Sequence, residues 1–243
     1  MLNSWDERRD FLVAGDESET YLFAAEHWIH AAQRAIQQKG RFAVALSGGS
    51  TPRAIYERLA LAKIDWSKVF LFWSDERAAP PDHPESNYKM AMESAFSRLP
   101  IPLHQIHRMR AEADLEKGAL EYEELIRSCL GKDLFDLVML GVGEDGHTAS
   151  LFPKTKALGI EDRLCVPNFI PEKNTWRMTL TFSCINGSSK AAIYAIGASK
   201  GAIVPKVLDS AIVSPYPASR IGTPDHKALW ILDRKAAQNL VQK

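Results

Sequence analysis

Cysteine is scarce in this chain. Only three of its 243 residues, Cys129, Cys165 and Cys184, carry a thiol, and they are widely spaced and odd in number. That excludes a disulfide framework and any CxxC metal knuckle; each thiol reads as a small buried side chain in a reducing compartment. An excess of one charge sign is also missing, since 30 Lys and Arg stand against 30 Asp and Glu. Such a balance offers no basic arm for nucleic acid and no basic face for a membrane. No apolar run approaches the ~20 residues of a membrane span. The first ten residues are polar, with Asp6, Glu7, Arg8 and Arg9 where a signal peptide has its apolar segment. The expectation is a cytoplasmic protein that binds a small molecule, as a monomer or small homo-oligomer, with no nucleic acid and no membrane partner.

What is present is an alternation of buried strands and amphipathic helices. Residues 17–39 place Tyr21, Ala24, Ala25, Trp28, Ile29, Ala32 and Ile36 on one helical face, and Gly40 is a stop signal. Short apolar runs at 41–46, 69–73, 135–140, 191–196 and 228–232 read as buried strands, and 163–166 as a shorter one followed by a loop at 167–174. Residues 176–182 alternate as a half-buried strand, with Arg177 and Thr179 opposite Met178 and Leu180. Helices are expected after Pro52 (with Ile55, Leu59 and Leu61 on one side), from Glu85–Tyr88 to about Phe96, over 111–130, from Lys200 to about Leu208, and after Asp233. Residues 98–109 read as a connector ending in a short strand, with His104 and His107 solvated or at the core edge, and 210–226 as a loop. The acidic residues of 111–130 read as a solvated face. No linker, composition break or repeat interrupts the pattern. Residues 1–243 are read as one α/β domain: a doubly wound, mostly parallel sheet with helices on both faces, a Rossmann-like three-layer sandwich.

Four of these strands run into polar turns. The first is Ser47-Gly48-Gly49-Ser50-Thr51-Pro52. Its glycines let backbone approach a ligand, and free amides at a helix start attract anions; Ser50 or Thr51 equally suits a helix cap, with Pro52 first in the helix. It is neither a P-loop, lacking Gly-Lys-Ser/Thr, nor the GxGxxG dinucleotide turn, so a small phosphorylated ligand fits best. The second is Ser74-Asp75-Glu76-Arg77, where Arg77 is either a phosphate ligand or the partner of Asp75, Glu76 or Glu85. The third is Gly141-Val142-Gly143-Glu144-Asp145-Gly146-His147, with a surface turn as its plain alternative. The fourth is Gly197-Ala198-Ser199-Lys200, where Lys200 is a phosphate ligand or an exposed lysine. In a parallel sheet such ends share one edge, where ligands bind. Cations and amides are then available for a phosphate, and Asp145 and His147 for proton transfer. No GxSxG nucleophile is present, so water activated by His147 is the simplest hydrolytic arrangement, with Asp145 either orienting the imidazole or compensating its charge. Backbone amides of the glycine turn, at Gly143 and Gly146, are candidates for holding an oxyanion or for shaping the turn.

Taken together, the Ser47–Pro52 turn, Trp73–Arg77 with Ser86-Asn87-Tyr88, the run from Gly141 to Pro153, and Arg177-Met178-Thr179-Leu180-Thr181 resemble the glucosamine-6-phosphate isomerase/6-phosphogluconolactonase family, and its lactonase branch in particular. The likeness covers nearly the whole chain. The deaminase branch has a glutamate just before the proline that closes the central motif, and this chain has Phe152; a tyrosine follows its Asp-Glu pair, where this chain has Arg77. The lactonase branch commonly has glycine after that proline, where Lys154 stands here, and 183–190 is also less typical. The resemblance implies hydrolysis of 6-phospho-D-glucono-1,5-lactone in the pentose phosphate pathway, without metal or organic cofactor. It implies His147 as base and Ser47, Gly48, Gly49, Ser50, Thr51, Arg77, Arg177 and Lys200 around the phosphate. Two other classes remain: a hexosamine-phosphate isomerase or deaminase with Asp75 as base, and a non-catalytic sugar-phosphate sensor.

Overall fold

The computed structural model describes residues 2–212 and 214–241. Position 213, inside the loop read at 210–226, and position 1 of the polar N-terminal stretch lie outside them. The chain runs β1 (Asn3–Ser4), β2 (Arg9–Gly15), α1 (Glu17–Lys39), β3 (Phe42–Leu46), α2 (Ser50–Leu59), β4 (Val69–Trp73), β5 (Asp75–Arg77), α3 (Asn87–Ser94), α4 (Leu115–Leu130), β6 (Leu137–Leu140), β7 (Cys165–Ile170), β8 (Thr175–Leu180), α5 (Phe182–Asn186), β9 (Ala191–Ala195), α6 (Ile203–Leu208) and β10 (Ala228–Asp233). Among the described residues no helix is long and apolar enough to cross a membrane.

The main sheet has the order β1-β2-β10-β9-β6-β3-β4 and is parallel except for β1. Every residue of β3, β6 and β9 is buried, and their sequences FAVAL, LVML and AAIYA are apolar throughout. That is the signature of strands covered on both faces. From β3 the chain adds β4 on one side, then returns to place β6 on the other and builds outward through β9 and β10. The order therefore reverses between β3 and β6, and their C-terminal loops flank the crevice where such sheets bind ligands. Helix α1 begins with a capping box, in which Asp16 and Glu19 each accept the other's amide at 3.0 and 2.8 Å. It ends at Gly40 with φ 72°. Its Trp28 is fully buried, edge-on to Phe42 at 5.0 Å.

Several elements differ from the sequence reading. Strand β2 was not expected: Arg9 and Asp10 mask its apolar centre. A second, three-stranded antiparallel sheet of order β5-β8-β7 was also not expected. The strand read at 163–166 instead spans Cys165–Ile170 and passes through Pro167, which replaces most of the predicted loop. Strand β7 lies at a sheet edge, where a missing N–H is tolerated. Helix α4 starts four residues later than predicted, capped by Asp114. Its Glu123 is buried, not solvated, and accepts from Arg163 Nε at 2.5 Å. Leu61 is 88% exposed rather than packed under α2. Residues 98–109 hold a 3-10 turn (Leu103–Gln105) and an isolated bridge, Leu71 to Ile106, where a strand was expected. Lys200 sits in a 3-10 turn (Ala198–Lys200) ahead of α6, which starts at Ile203. The helix expected after Asp233 is a series of turns, with the Asp233 carboxylate accepting from Ala236 N at 2.8 Å and Gly197 N at 3.0 Å. All three cysteines are free thiols; Cys165 and Cys184 are buried and Cys129 is half-buried.

Candidate active site

The four polar strand ends meet in one cavity of about 360 Å³. Ser47, Gly48, Gly49, Ser50, Thr51, Asp75, Arg77, Gly143, His147, Arg177 and Lys200 all line it. The pocket forms because β3, β4, β6 and β9 are parallel, so their C-terminal ends lie on the same edge.

The first turn is fixed from beneath. Tyr56, fully buried on α2, accepts from Ser47 N at 3.0 Å and donates to Ser47 O at 2.8 Å. Gly48 is pressed against Asn87: a Cβ there would lie 1.8 Å from the Asn87 amide oxygen. Gly49, not Ser50 or Thr51, occupies the N-cap position, with φ 102° and no side-chain cap. Pro52 is accordingly the third helical residue rather than the first. An uncapped helix start leaves its first-turn amides available to an anion.

The second turn crosses into the small sheet. Asp75 pairs with Thr179 and Arg77 with Arg177 across β5 and β8. The Arg77 side chain donates to the Glu85 carbonyl rather than to a carboxylate, and the buried Nε atoms of Arg77 and Arg177 have no partner. Burial lowers the Arg177 pKa; Asp75 opposes this and Arg77 reinforces it. Two guanidiniums thus face the pocket with unused donors. Glu76 points away, receiving the amides of Arg77, Asn87 and Tyr88 at 2.8 Å each and so fixing the start of α3. Burial raises its pKa against those hydrogen bonds. Asp75 is buried and accepts from Ser150 Oγ at 2.6 Å and Asn87 Nδ2 at 3.2 Å.

The third turn carries the imidazole. His147 Nδ1 lies 2.5 Å from Asp145 Oδ1, which also accepts the His147 amide at 3.1 Å. Burial pushes the Asp145 carboxyl up, but the hydrogen bond and charge of His147 outweigh it and hold it below the usual range. Gly143 N donates to His147 O, and Gly146 N to Gly143 O, both at 2.9 Å. Both amides are thus engaged within the turn. A Cβ at Gly143 would lie 2.1 Å from His147 Nδ1. Gly146 has φ 79° and packs on Tyr216. Phe152 stacks on the imidazole. Lys154 adopts φ 61°, in the left-handed region.

A family model described as glucosamine-6-phosphate isomerases/6-phosphogluconolactonase matches residues 15–230. The chain belongs to this family. It is 44% identical over 236 residues to the 6-phosphogluconolactonase of Chlamydia pneumoniae, covering 95% of this chain and 90% of that relative. The 6-phosphogluconolactonase of a Nostoc species is 39% identical over 213 residues, with 85% and 88% covered. The structure of 6-phosphogluconolactonase from Trypanosoma cruzi superposes with a TM-score of 0.87 at 26% identity, covering 99% of both chains. A monomeric glucosamine-6-phosphate deaminase shares the fold alone, with a TM-score of 0.80 at 21% identity over 94% of this chain and 98% of its own.

Asn87, Ser150 and Tyr194 were not singled out as site residues. Asn87 and Ser150 stand within the Ser86–Tyr88 and Gly141–Pro153 runs, whose spacing assigns them no role. Tyr194 lines the pocket from within an apolar strand, its hydroxyl buried and without a partner, and nothing in the pattern AAIYA marks it.

Proposed function

We propose that this chain hydrolyses 6-phospho-D-glucono-1,5-lactone to 6-phospho-D-gluconate, the lactone step of the oxidative pentose phosphate pathway, with His147 as general base toward water. The observation that carries this reading is the held imidazole: Nδ1 is engaged by Asp145, so Nε2 is the ring nitrogen left to take a proton. It lines the same cavity as two guanidiniums with unused donors and an uncapped helix start.

The substrate phosphate carries about −1.5 to −2 charge and docks between the Ser47–Thr51 turn and Arg77, Arg177 and Lys200. The like charges of half-buried Arg77 and Arg177 are costly alone and are offset by that anion. Docking brings the lactone carbonyl to His147. Neutral His147 accepts a proton at Nε2 while the water oxygen bonds to the carbonyl carbon, and Asp145 stabilises the imidazolium. The tetrahedral centre then collapses, the ring C–O bond breaks, and Nε2 returns the proton to the departing ring oxygen. In this reading Asp75, held by Ser150 and Asn87, accepts a substrate hydroxyl and is not the base toward water.

The test is lactone disappearance measured against the uncatalysed rate, with His147→Ala beside the native chain. The expected result is enzymatic acceleration that falls about 10²- to 10⁴-fold in the variant, the range of a lost general base. No acceleration by the native chain would favour a sensor. Ammonia release from glucosamine 6-phosphate would favour a deaminase.

A further inference from the structure

We propose that Phe152 is a positioning residue for His147, and that buried Asn168 on β7 holds the loop that presents it. This rests on the reading of His147 as the base. The Phe152 and His147 rings stack with centroids 3.8 Å apart and planes 15° from parallel. Phe152 is 3% exposed. The hydrogen bond to Asp145 fixes one point of the imidazole but not its plane, and χ2 of a histidine is a broad torsion with no strong preference of its own. The direction of Nε2 depends on that plane. Two surfaces set it: the Gly143 backbone on the Nδ1 and Cε1 side, where a Cβ would lie 2.1 and 2.2 Å from those atoms, and the face of Phe152.

The platform is itself anchored. Phe152 O accepts from Thr155 Oγ1 at 2.8 Å. Asn168 Nδ2 donates to Thr155 Oγ1 and to Ser150 O, each at 2.9 Å, so one amide clamps the loop on both sides of Phe152. Asn168 is 1% exposed. Ser150 in turn donates to Asp75 at 2.6 Å, which ties the platform to the floor of the pocket. Strand β7 therefore acts on the imidazole from outside the pocket: it presents no group to the ring but holds the loop that sets its plane. A phenyl ring is suited to this, because it offers a flat face and takes no proton from the base. The charged groups around the stack are Asp145 on the turn itself, Lys173 with Nζ 5.8 Å from the Phe152 centroid, and Asp75, Arg77, Arg177 and Lys200 in the shared cavity.

The experiment compares Phe152→Leu, Phe152→Tyr, Thr155→Val and His147→Ala by kcat, KM and melting temperature, with the His147 ring-proton shifts read by NMR. Phe152→Leu keeps an apolar filler and removes the face. It should lower kcat about three- to tenfold, the range an aromatic pair is worth, with KM within about twofold. Phe152→Tyr restores the face and should recover kcat to within about twofold of the native chain on the same scale. Thr155→Val, which cuts the anchor and leaves the ring, should give a smaller fall in kcat at unchanged KM. The His147 ring protons should move downfield in Phe152→Leu as ring-current shielding is lost. Native kcat in Phe152→Leu, no recovery in a folded Phe152→Tyr, or no change in those shifts would each overturn the proposal. Should Phe152→Leu not fold, native kcat in Thr155→Val overturns it. Activity surviving in His147→Ala overturns the base reading instead, so the two failures are distinct.

Discussion

Replacing Asp145 by asparagine tests the proton-transfer half of the site. The side chain keeps its size, but the charge opposite the imidazole is lost. Asp145 makes two contacts to His147, at 2.5 Å to Nδ1 and 3.1 Å to the amide, and only the first changes during the reaction. A hydrogen bond to a charged group contributes about 1.5–3 kcal/mol, and each 1.36 kcal/mol is tenfold in rate. Both side chains reach solvent, with 27% exposure for His147 and 36% for Asp145. Screening therefore puts the effect near the lower end, a fall in kcat of about ten- to thirtyfold. KM should stay within about twofold, because the proposed phosphate ligands stand on other strand ends and the lost interaction matters in the transition state. The assay follows 6-phosphogluconate formation through a coupled dehydrogenase, with spontaneous hydrolysis subtracted. Asp145→Asn combined with His147→Ala should be no slower than His147→Ala alone, since the carboxylate acts only through the ring. A kcat within twofold of native for Asp145→Asn, or additive losses in the double variant, would refute the orienting role.

The other half of the site is tested by Arg177→Met, which should raise KM by about ten- to a hundredfold in steady-state kinetics, the scale of a lost charged hydrogen bond. The same variant should melt no lower than the native chain, because it removes a half-buried cation that has no ion pair in the free protein. Lys154→Gly should relieve the strain of φ 61° and raise the melting temperature by about 2–4 °C without altering kcat, as read by calorimetry beside the activity assay. Burial, reinforced by Lys190 and His30, lowers the His27 pKa from 6.5 to about 4. Between those values the unfolded chain binds a proton that the native chain does not, so stability falls as pH drops from 6.5 to 4, by up to about 3 kcal/mol. His27→Gln should flatten that part of the pH profile in urea titrations; an unchanged profile would count against a half-buried imidazole kept neutral in the native chain.

Legibility in the sequence tracked how local each feature is. The strands β3, β4, β6, β9 and β10 are apolar runs next to turn residues, and all are present near the predicted bounds. Strand β2 was missed because Arg9 and Asp10 open it; Asp6 pairs with Arg9 locally, but the contacts that fix both residues in the sheet, Val207 O for Arg9 and Lys227 for Asp10, are some two hundred residues away. The antiparallel sheet was missed for a similar reason. Its strand β5 is three charged or polar residues, Asp75–Arg77, whose pairing with Asp75↔Thr179 register spans a hundred positions. Glu123 read as one of many solvated acids because its partner Arg163 lies forty residues on.

The sequence by itself determined the alternation of elements, the four polar strand ends and the Asp145–His147 spacing, because backbone periodicity and turn chemistry are properties of neighbouring residues. Only the tertiary structure decided which of those residues share a cavity and what each one does there. It turned Arg77 from the carboxylates toward Glu85 O and the pocket, engaged the amides of Gly143 and Gly146 inside their own turn, and laid Phe152 flat on His147. Each of these outcomes depends on which donor finds which acceptor, or which ring finds which face, across the sheet edge. That choice is made by the packing of β3, β4, β6, β8 and β9 together, and no local pattern carries it.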